Sequence, residues 1–258
     1  RQLLRENIEN RAISLSSVVN SQVSQNIVTT REVSVNIAEQ ILYYSQHNDE
    51  ELLLSMVMKK YSFLNAVYVQ IDSIIPTDNN YFIKRTNDEL IYKTSDSIIY
   101  SCPEEKKIFE KLCKEKSQGW TDPFQCNEKN IVAFYCPVFA TGENGKSFCA
   151  GQVISELSLH ELNKRISKIE IGKRGYAFII NRNGDYITHP REEWILNRNA
   201  YNLPTKVLDP EEVNVKYILS DTAGGSFIAH PEILDYNKSW VYYTPINRNR
   251  WLLFFVMS

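Results

Sequence analysis

The chain has 258 residues, of which 43% are hydrophobic and 23% charged, and a formal net charge of −2. That is enough for one large domain or two small ones with real cores. It argues against a nucleic-acid binder, which usually carries a basic patch or stripe and often a basic pI. The lysines at 106–107 and 114–116 sit among glutamates and read as a solvated helix face. No run approaches the roughly 18 apolar residues that a membrane-spanning helix requires. The opening from Arg1 is polar and helical, with no signal-peptide pattern, and the sequence reads as a segment of a longer protein.

No proline occurs before Pro76 and no glycine before Gly119, which permits a long helix at the start. Leu4, Ile8, Leu15, Val19, Val23, Ile27, Ile37 and Ile41 recur at helical spacing, with Ala12 and Ser34 filling the stripe. Many of these residues are β-branched, so such a helix depends on packing partners. Forty helical residues would span about 60 Å, longer than one small domain. A second helix is predicted from Asn48 or Asp49 to Tyr61, with acidic residues in its first turn. From Leu64 to Ile71 the apolar period changes to two, which predicts a strand. Tyr81–Lys84 and Leu90–Lys93 flank Asn87-Asp88-Glu89 and read as a hairpin.

Pro103 suits the first position of a helix through Lys116. Ile131–Val138 and Phe148–Leu157 form a second hairpin pattern around Gly142–Gly145. A short amphipathic helix is predicted over Leu159–Ile169. Strands follow at Tyr176–Ile180 and Asp185–Thr188 around an Asn183-Gly184 turn, the strongest local hairpin signal in the chain. Helical stretches are predicted at Pro190–Asn197 and Pro210–Leu219. Strands at Ser226–Ala229, Ser239–Thr244 and Trp251–Val256 close the chain. Two strand–strand–helix–strand patterns in tandem indicate an α+β fold with antiparallel sheets of about five strands each.

The five cysteines, Cys102, Cys113, Cys126, Cys136 and Cys149, form no close metal-ligand spacing. In a symmetric hairpin centred on Gly142-Glu143, Cys136 and Cys149 would face each other, so a disulfide between them is one expectation. No nucleophile elbow and no phosphate-binding glycine loop is present, and no catalytic set emerges. His189 and His230 each precede a proline. They read as satisfied strand-end residues rather than a metal pair.

The segment from Gly172 through Tyr176-Ala177-Phe178-Ile179-Ile180, Asn183-Gly184 and Thr188-His189-Pro190 resembles the entry hairpin of the double Cache family of sensor domains. Trp120-Thr121-Asp122-Pro123-Phe124, Tyr135-Cys136-Pro137-Val138 and Gly151–Leu159 are similar to strands of that family's first module. Trp240–Ile246 with Trp251-Leu252-Leu253 is similar to its closing strand pair. The resemblance implies a long helix over residues 1–44, a membrane-distal PAS-like module over 45–158, a linker helix over 159–171 and a membrane-proximal PAS-like module over 172–258.

It also implies the extracytoplasmic, periplasmic part of a bacterial signal-transduction receptor, anchored by flanking transmembrane helices outside this chain. Such a part is a sensor and not an enzyme, uses no cofactor, binds no nucleic acid, and takes a small molecule in the distal module. A homodimer through the long helix is a further expectation. The alternative of another class is a structural or protein-interaction ectodomain with no working pocket.

Tyr68, Arg85, Trp120, Phe124, Tyr135 and Glu156 are the candidate ligand-binding residues. The aromatic residues would supply apolar walls and Glu156 a charge inside an apolar run. Amino-acid-binding members of the family carry an Arg-x-Trp-Tyr segment, but residues 95–119 here contain no arginine. Their Tyr-x-Asp is here Phe124-Gln125-Cys126, and a second Asp is here Glu156. A free amino acid is therefore not the expected ligand. A cationic or neutral polar molecule is favoured, unless Arg85 reaches the same cavity.

Overall fold

In the computed structural model the described residues are 2–71, 80–86, 89–95, 102–115, 117–126, 129–169, 171, 174–204, 206–208, 213–246 and 251–257, without the side chains of 2–9, 12, 109–110 and 112–114. Helix α1 runs from Gln2 to Gln46. Its buried positions Val19, Val23, Ile27, Thr30, Ser34, Ile37, Ile41 and Ser45 advance by three or four residues, the stripe that the sequence predicts. The chain divides into two compact units. Residues through Ile27 and from Leu159 onward form one, and Val28–Ser158 forms the other.

The Val28–Ser158 unit contains α2 (Glu50–Lys60), β1 (Leu64–Ile71), β2 (Asn80–Thr86), β3 (Glu89–Ser95), α3 (Pro103–Glu115), β4 (Gly119–Trp120), β5 (Phe124–Cys126), β6 (Lys129–Thr141) and β7 (Ser147–Ser158). Its antiparallel sheet has seven strands in the order β3-β2-β1-β7-β6-β4, with β5 also paired to β6. The expected five strands, which are β1, β2, β3, β6 and β7, become seven because the short strands β4 and β5 on either side of Asp122-Pro123 pair with β6. The Asn87-Asp88 turn lies outside the described residues.

Strand alternation gives the sheet two apolar faces. Val67, Val69 and Ile83, with Phe134, Val138 and Val153, pack with Ile37 and Ile41 of α1 and Leu54 and Met58 of α2. Ala66, Tyr68, Phe82, Ala133 and Ile154 form a separate cluster, with Ile108 of α3 against it. Hydrogen bonds from Ser34 Oγ to Ser155 Oγ (2.7 Å) and between Ser45 Oγ and Tyr81 Oη (2.7 Å) satisfy polar groups buried under α1.

The β6–β7 hairpin corrects one expectation. Phe139 pairs with Cys149, whereas Cys136 pairs with Val153, with a register shift between Val138 and Phe139. The turn is centred on Asn144, where Gly142 N donates to Lys146 O (2.9 Å) and Gly145 takes the left-handed φ of 71° that favours glycine. Both Cys136 and Cys149 are free thiols. Burial pushes the Cys136 thiol up to about 11. The disulfide joins Cys102 to Cys126 instead, with Cα atoms 5.7 Å apart. It ties the residue before α3 to the end of β5.

The second unit contains α4 (Leu159–Ile166), β8 (Tyr176–Asn181), β9 (Tyr186–Thr188), α5 (Val215–Ser220), β10 (Gly225–Ala229), β11 (Ser239–Ile246) and β12 (Trp251–Met257). Its five strands run β10-β11-β12-β8-β9, all antiparallel. The two expected helices between β9 and β10 shrink to 3₁₀ turns at Glu192–Trp194 and Ala200–Asn202 plus the short α5. The expected start at Pro210 lies outside the described residues. The residues that open these turns, Arg191, Asn199 and Asn214, are extended, and the two asparagines cap their own helices. The architecture is α+β: one long helix and two PAS-like antiparallel sheets.

Candidate functional site

The second face of the first module concentrates buried polar chemistry. Glu156 sits on β7 between two alanines, Ala66 on β1 and Ala133 on β6. These small neighbours leave room above the strand for its carboxyl. Two positions along, Ile154 is flanked by Tyr68 and Tyr135 in the same way. Tyr68, Tyr135 and Glu156 therefore share one face, as the sequence pattern anticipates. Tyr68 is 1% exposed and its ring lies 4.7 Å from that of Phe82. Tyr135 leans across Gly119, where a Cβ would meet its hydroxyl at 2.8 Å.

Glu105, in the first turn of α3, completes the cluster. Glu105 and Glu156 are each 1% exposed. The Tyr68 hydroxyl donates to Glu105 Oε1 at 3.2 Å. Glu105 Oε1 also lies 3.1 Å from Cys126 Sγ of the disulfide, and the Glu105 amide points at Cys102 Sγ (3.5 Å). The cross-link thus holds the start of α3 where its carboxyl faces the sheet.

Asn65 Nδ2 donates to Glu156 Oε2 at 3.0 Å. Asn65 is the extra residue of a β-bulge between Leu64 and Ala66, and a bulge turns a side chain that regular alternation would direct elsewhere. Glu156 Oε1 is buried and has no hydrogen-bond donor. Burial first, then the charge of Glu105, holds the Glu156 carboxyl well above the usual carboxylate range. Asn65 and the Lys84 ammonium pull weakly the other way. Beside the Glu105 charge the buried Glu156 carboxyl stays protonated, and its proton is available to Glu105.

The other candidates fall elsewhere. Phe124 on β5 packs beside Ile131 and the Cys102–Cys126 disulfide, at the edge of this face. Trp120 points to the opposite side, against the α1/α2 core, with its ring 5.3 Å from Phe134. Arg85 also lies away from Glu156. Its guanidinium donates to the Met58 carbonyl at the end of α2 and to Leu64 O (3.4 Å), where a cation meets the negative end of the helix. Arg182 does the same in the second module, donating to Leu219 O and Asp221 O at 2.7 Å each.

Glu105 and Asn65 were not among the sequence candidates. Glu105 had a signal: it lies three residues from both Cys102 and Ile108, so a carboxylate interrupts the inward stripe of α3. The bulge that turns Asn65 has no such signature. Among the described residues, the one grouping of three potential metal ligands is Cys102, Glu105 and Cys126, and its two sulfurs are bonded to each other. His189 and His230 do not meet. His189 Nδ1 accepts from Arg191 N (3.1 Å), and His230 Nδ1 lies 3.2 Å from Tyr236 O.

The fold has relatives among solved structures. The extracellular domain of mmHK1S-Z2, described as a histidine kinase, superposes with a TM-score of 0.70 at 16% identity, covering 97% of both chains. Methyl-accepting chemotaxis protein X gives 0.68 at 14% identity, over 99% of this chain and 98% of the other. The ligand-binding domain of the Pseudomonas aeruginosa PAO1 amino-acid chemoreceptor PctC, in complex with GABA, gives 0.62 at 15% identity, over 97% and 99%. At these identities the likeness is one of fold. No curated protein sequence matches the chain significantly. No described helix is long and apolar enough to cross a membrane. The Cache domain family dCache_1 matches residues 1–258, so the chain belongs to the double Cache family.

Proposed function

We propose that the chain is the extracytoplasmic sensor portion of a bacterial membrane receptor, and that its first, membrane-distal module binds a small molecule bearing a cationic or neutral hydrogen-bond donor. The observation that carries this reading is the fully buried Glu156 carboxyl, which has one amide donor, Asn65, and a second carboxyl, Glu105, beside it, on the face that Tyr68, Tyr135 and Phe82 share. A ligand N–H or O–H donated to this pair would be a hydrogen bond to a charged group, worth about 1.5–3 kcal/mol. An amine would gain more, by ion pairing with the carboxyl pair and by cation–π attraction of about 0.5–2 kcal/mol to the tyrosine faces.

Arg85 is committed to α2, which removes the arginine that would favour an anionic ligand. The fold neighbours with bound GABA and L-isoleucine carry ligands with an amine, and residues 95–119 of this chain offer no arginine to grip a carboxylate. A ligand that drew Glu105 and Glu156 together would act on α3 and β7. The continuous helix α1 would carry the change towards membrane anchors outside this chain, in a dimer formed through α1. No catalytic role is assigned to the domain itself. The carboxyl pair alone could also stabilise an ectodomain that binds nothing.

A thermal-shift screen of small metabolites separates the two, followed by calorimetry on Glu156→Gln. The substitution should weaken a cationic ligand about tenfold, on the order of 1.4 kcal/mol. Unchanged affinity places the ligand elsewhere, and a screen without hits favours the structural ectodomain.

A further inference from the structure

The two sulfurs of the Cys102–Cys126 cross-link sit in opposite electrostatic surroundings. Cys102 is the N-cap of α3, a helix of 13 residues whose first helical position is Pro103. Its carbonyl accepts from Lys106 N at 3.3 Å, which closes the first turn. Its side chain takes the place that serine or aspartate usually holds there. The Glu105 amide, third in the helix, points at Cys102 Sγ from 3.5 Å. Negative charge developing on that sulfur would meet a backbone N–H and the positive end of α3.

Cys126, at the end of β5, has the reverse setting. Its Sγ lies 3.1 Å from Glu105 Oε1, and Glu105 is 1% exposed. Negative charge on this sulfur would be repelled by a carboxylate that water does not screen. Lys129, its cross-strand neighbour, is exposed and its charge is screened. One glutamate therefore offers its amide to one sulfur and its carboxylate to the other.

The same geometry provides for the reduced form. A Cys126 thiol would donate to Glu105 Oε1 across the 3.1 Å that holds no hydrogen in the disulfide, and Cys102 would keep Glu105 N as its donor. Glu105 Oε1 already accepts from Tyr68 Oη at 3.2 Å. A second donor on that oxygen, with the covalent tie between β5 and α3 released, changes the side chain that faces Glu156. Both cysteines are buried, Cys102 8% and Cys126 5% exposed, so the reagent that fits is a small thiol rather than the surface of another protein.

We propose that the Cys102–Cys126 bond is a thiol–disulfide exchange site for a small thiol, with Cys126 the sulfur attacked and Cys102 the leaving group, and that its opening acts on Glu105. A thiolate attacks Cys126 Sγ, the S–S bond breaks, and its electron pair leaves with Cys102 at the start of α3. A second thiol attacks the reagent's sulfur in the mixed disulfide and displaces Cys126. The protein disulfide is reduced to two thiols, two thiol molecules are oxidised to one disulfide, and their two protons end on Cys102 and Cys126. A less basic thiolate leaves faster, and both the helix end and the Glu105 carboxylate make Cys102 that group. An effect on ligand affinity rests on reading the Glu105–Glu156 face as the ligand site; the exchange chemistry does not.

The probe is 2-mercaptoethanol, added to the 258-residue chain at mildly alkaline pH, with products trapped in acid and mapped by mass spectrometry. The first product should carry the reagent on Cys126 in at least about tenfold excess over Cys102, at a rate that low urea does not change. Glu105→Gln, which removes the carboxylate, should reduce that excess at least about threefold. In the fully reduced chain, amide exchange in the first turns of α3 should quicken at least about tenfold while β8 and β12 stay unchanged. Reagent found mainly on Cys102, an excess that survives Glu105→Gln, a rate that climbs with urea as global unfolding does, or unaltered α3 exchange overturns the proposal. The product ratio is read on the unsubstituted protein, so the result stands even if Glu105→Gln fails to fold. Every readout is free of ligand, so a metabolite screen without hits would remove the ligand site and leave this result in place.

Discussion

Replacing Glu156 by glutamine should change how the first module's stability depends on pH. The folded module holds the Glu156 proton more tightly than the unfolded chain does, because burial and the Glu105 charge disfavour the carboxylate. Below about pH 4.3 both states are protonated and the contribution is full and flat. As pH rises from there towards the raised folded-state value, the unfolded chain has released a proton that the folded module still binds. Stability is therefore lost with rising pH, by at most about 1.4 kcal/mol per unit for one proton.

From pH 5 to 7 this amounts to at most about 2.7 kcal/mol. Full burial leaves no solvent screening to discount. The substituted glutamine would keep an acceptor for Asn65 and present an N–H to Glu105, without a titrating group. Hydrogen exchange on peptides from β1 and β7, corrected for intrinsic rates, reads the first module alone. Protection in the unsubstituted chain should fall between pH 5 and 7 by at least about 1 kcal/mol more than in Glu156→Gln, a fraction of that maximum. Equal slopes in the two proteins refute the idea that Glu156 carries the extra proton.

Three further outcomes are expected. The second module should titrate in the opposite sense: His189 is neutral when folded, with its pKa lowered to about 4, so its contribution is present above about pH 6.5 and lost as pH falls towards 4, by at most about 1.4 kcal/mol per unit. Exchange in β8 and β12 peptides should show that slope, and His189→Phe should flatten it. Arg85→Met should destabilise the first module by about 1–3 kcal/mol through the lost bonds to Met58 and Leu64, measured by urea denaturation, while ligand affinity stays unchanged. Non-reducing peptide mapping should recover a Cys102–Cys126 cross-link with Cys136 and Cys149 open to alkylation, and Cys102→Ser with Cys126→Ser should cost about 3 kcal/mol for a loop of this length.

The elements were legible because their signals are periodic and local. The stripe on α1, the alternation in β1 and the Asn183-Gly184 turn each reflect one element's own geometry. What failed depended on contacts between elements. The Cys136–Cys149 expectation assumed a hairpin without a bulge and misplaced the turn by about two residues. The Cys102–Cys126 bond joins α3 to β5, and no local pattern encodes that meeting.

Which of the candidate residues share a face was legible in part for the same reason. Tyr68, Tyr135 and Glu156 lie on regular strands, where alternation assigns the face once the register is known. Arg85 and Trp120 also sit on strands, but on the positions that alternation directs towards α1 and α2. The glutamate at an inward helix position marked Glu105, while the bulge that turns Asn65 becomes visible only when β1 is paired with β7.

The most direct test is a crystal structure of the chain with the best hit from the metabolite screen. A ligand nitrogen or hydroxyl within about 3.2 Å of Glu156 Oε1, between the rings of Tyr68 and Tyr135, is the predicted result. A ligand whose carboxylate is gripped by Arg85, or one found solely in the second module, would contradict the account.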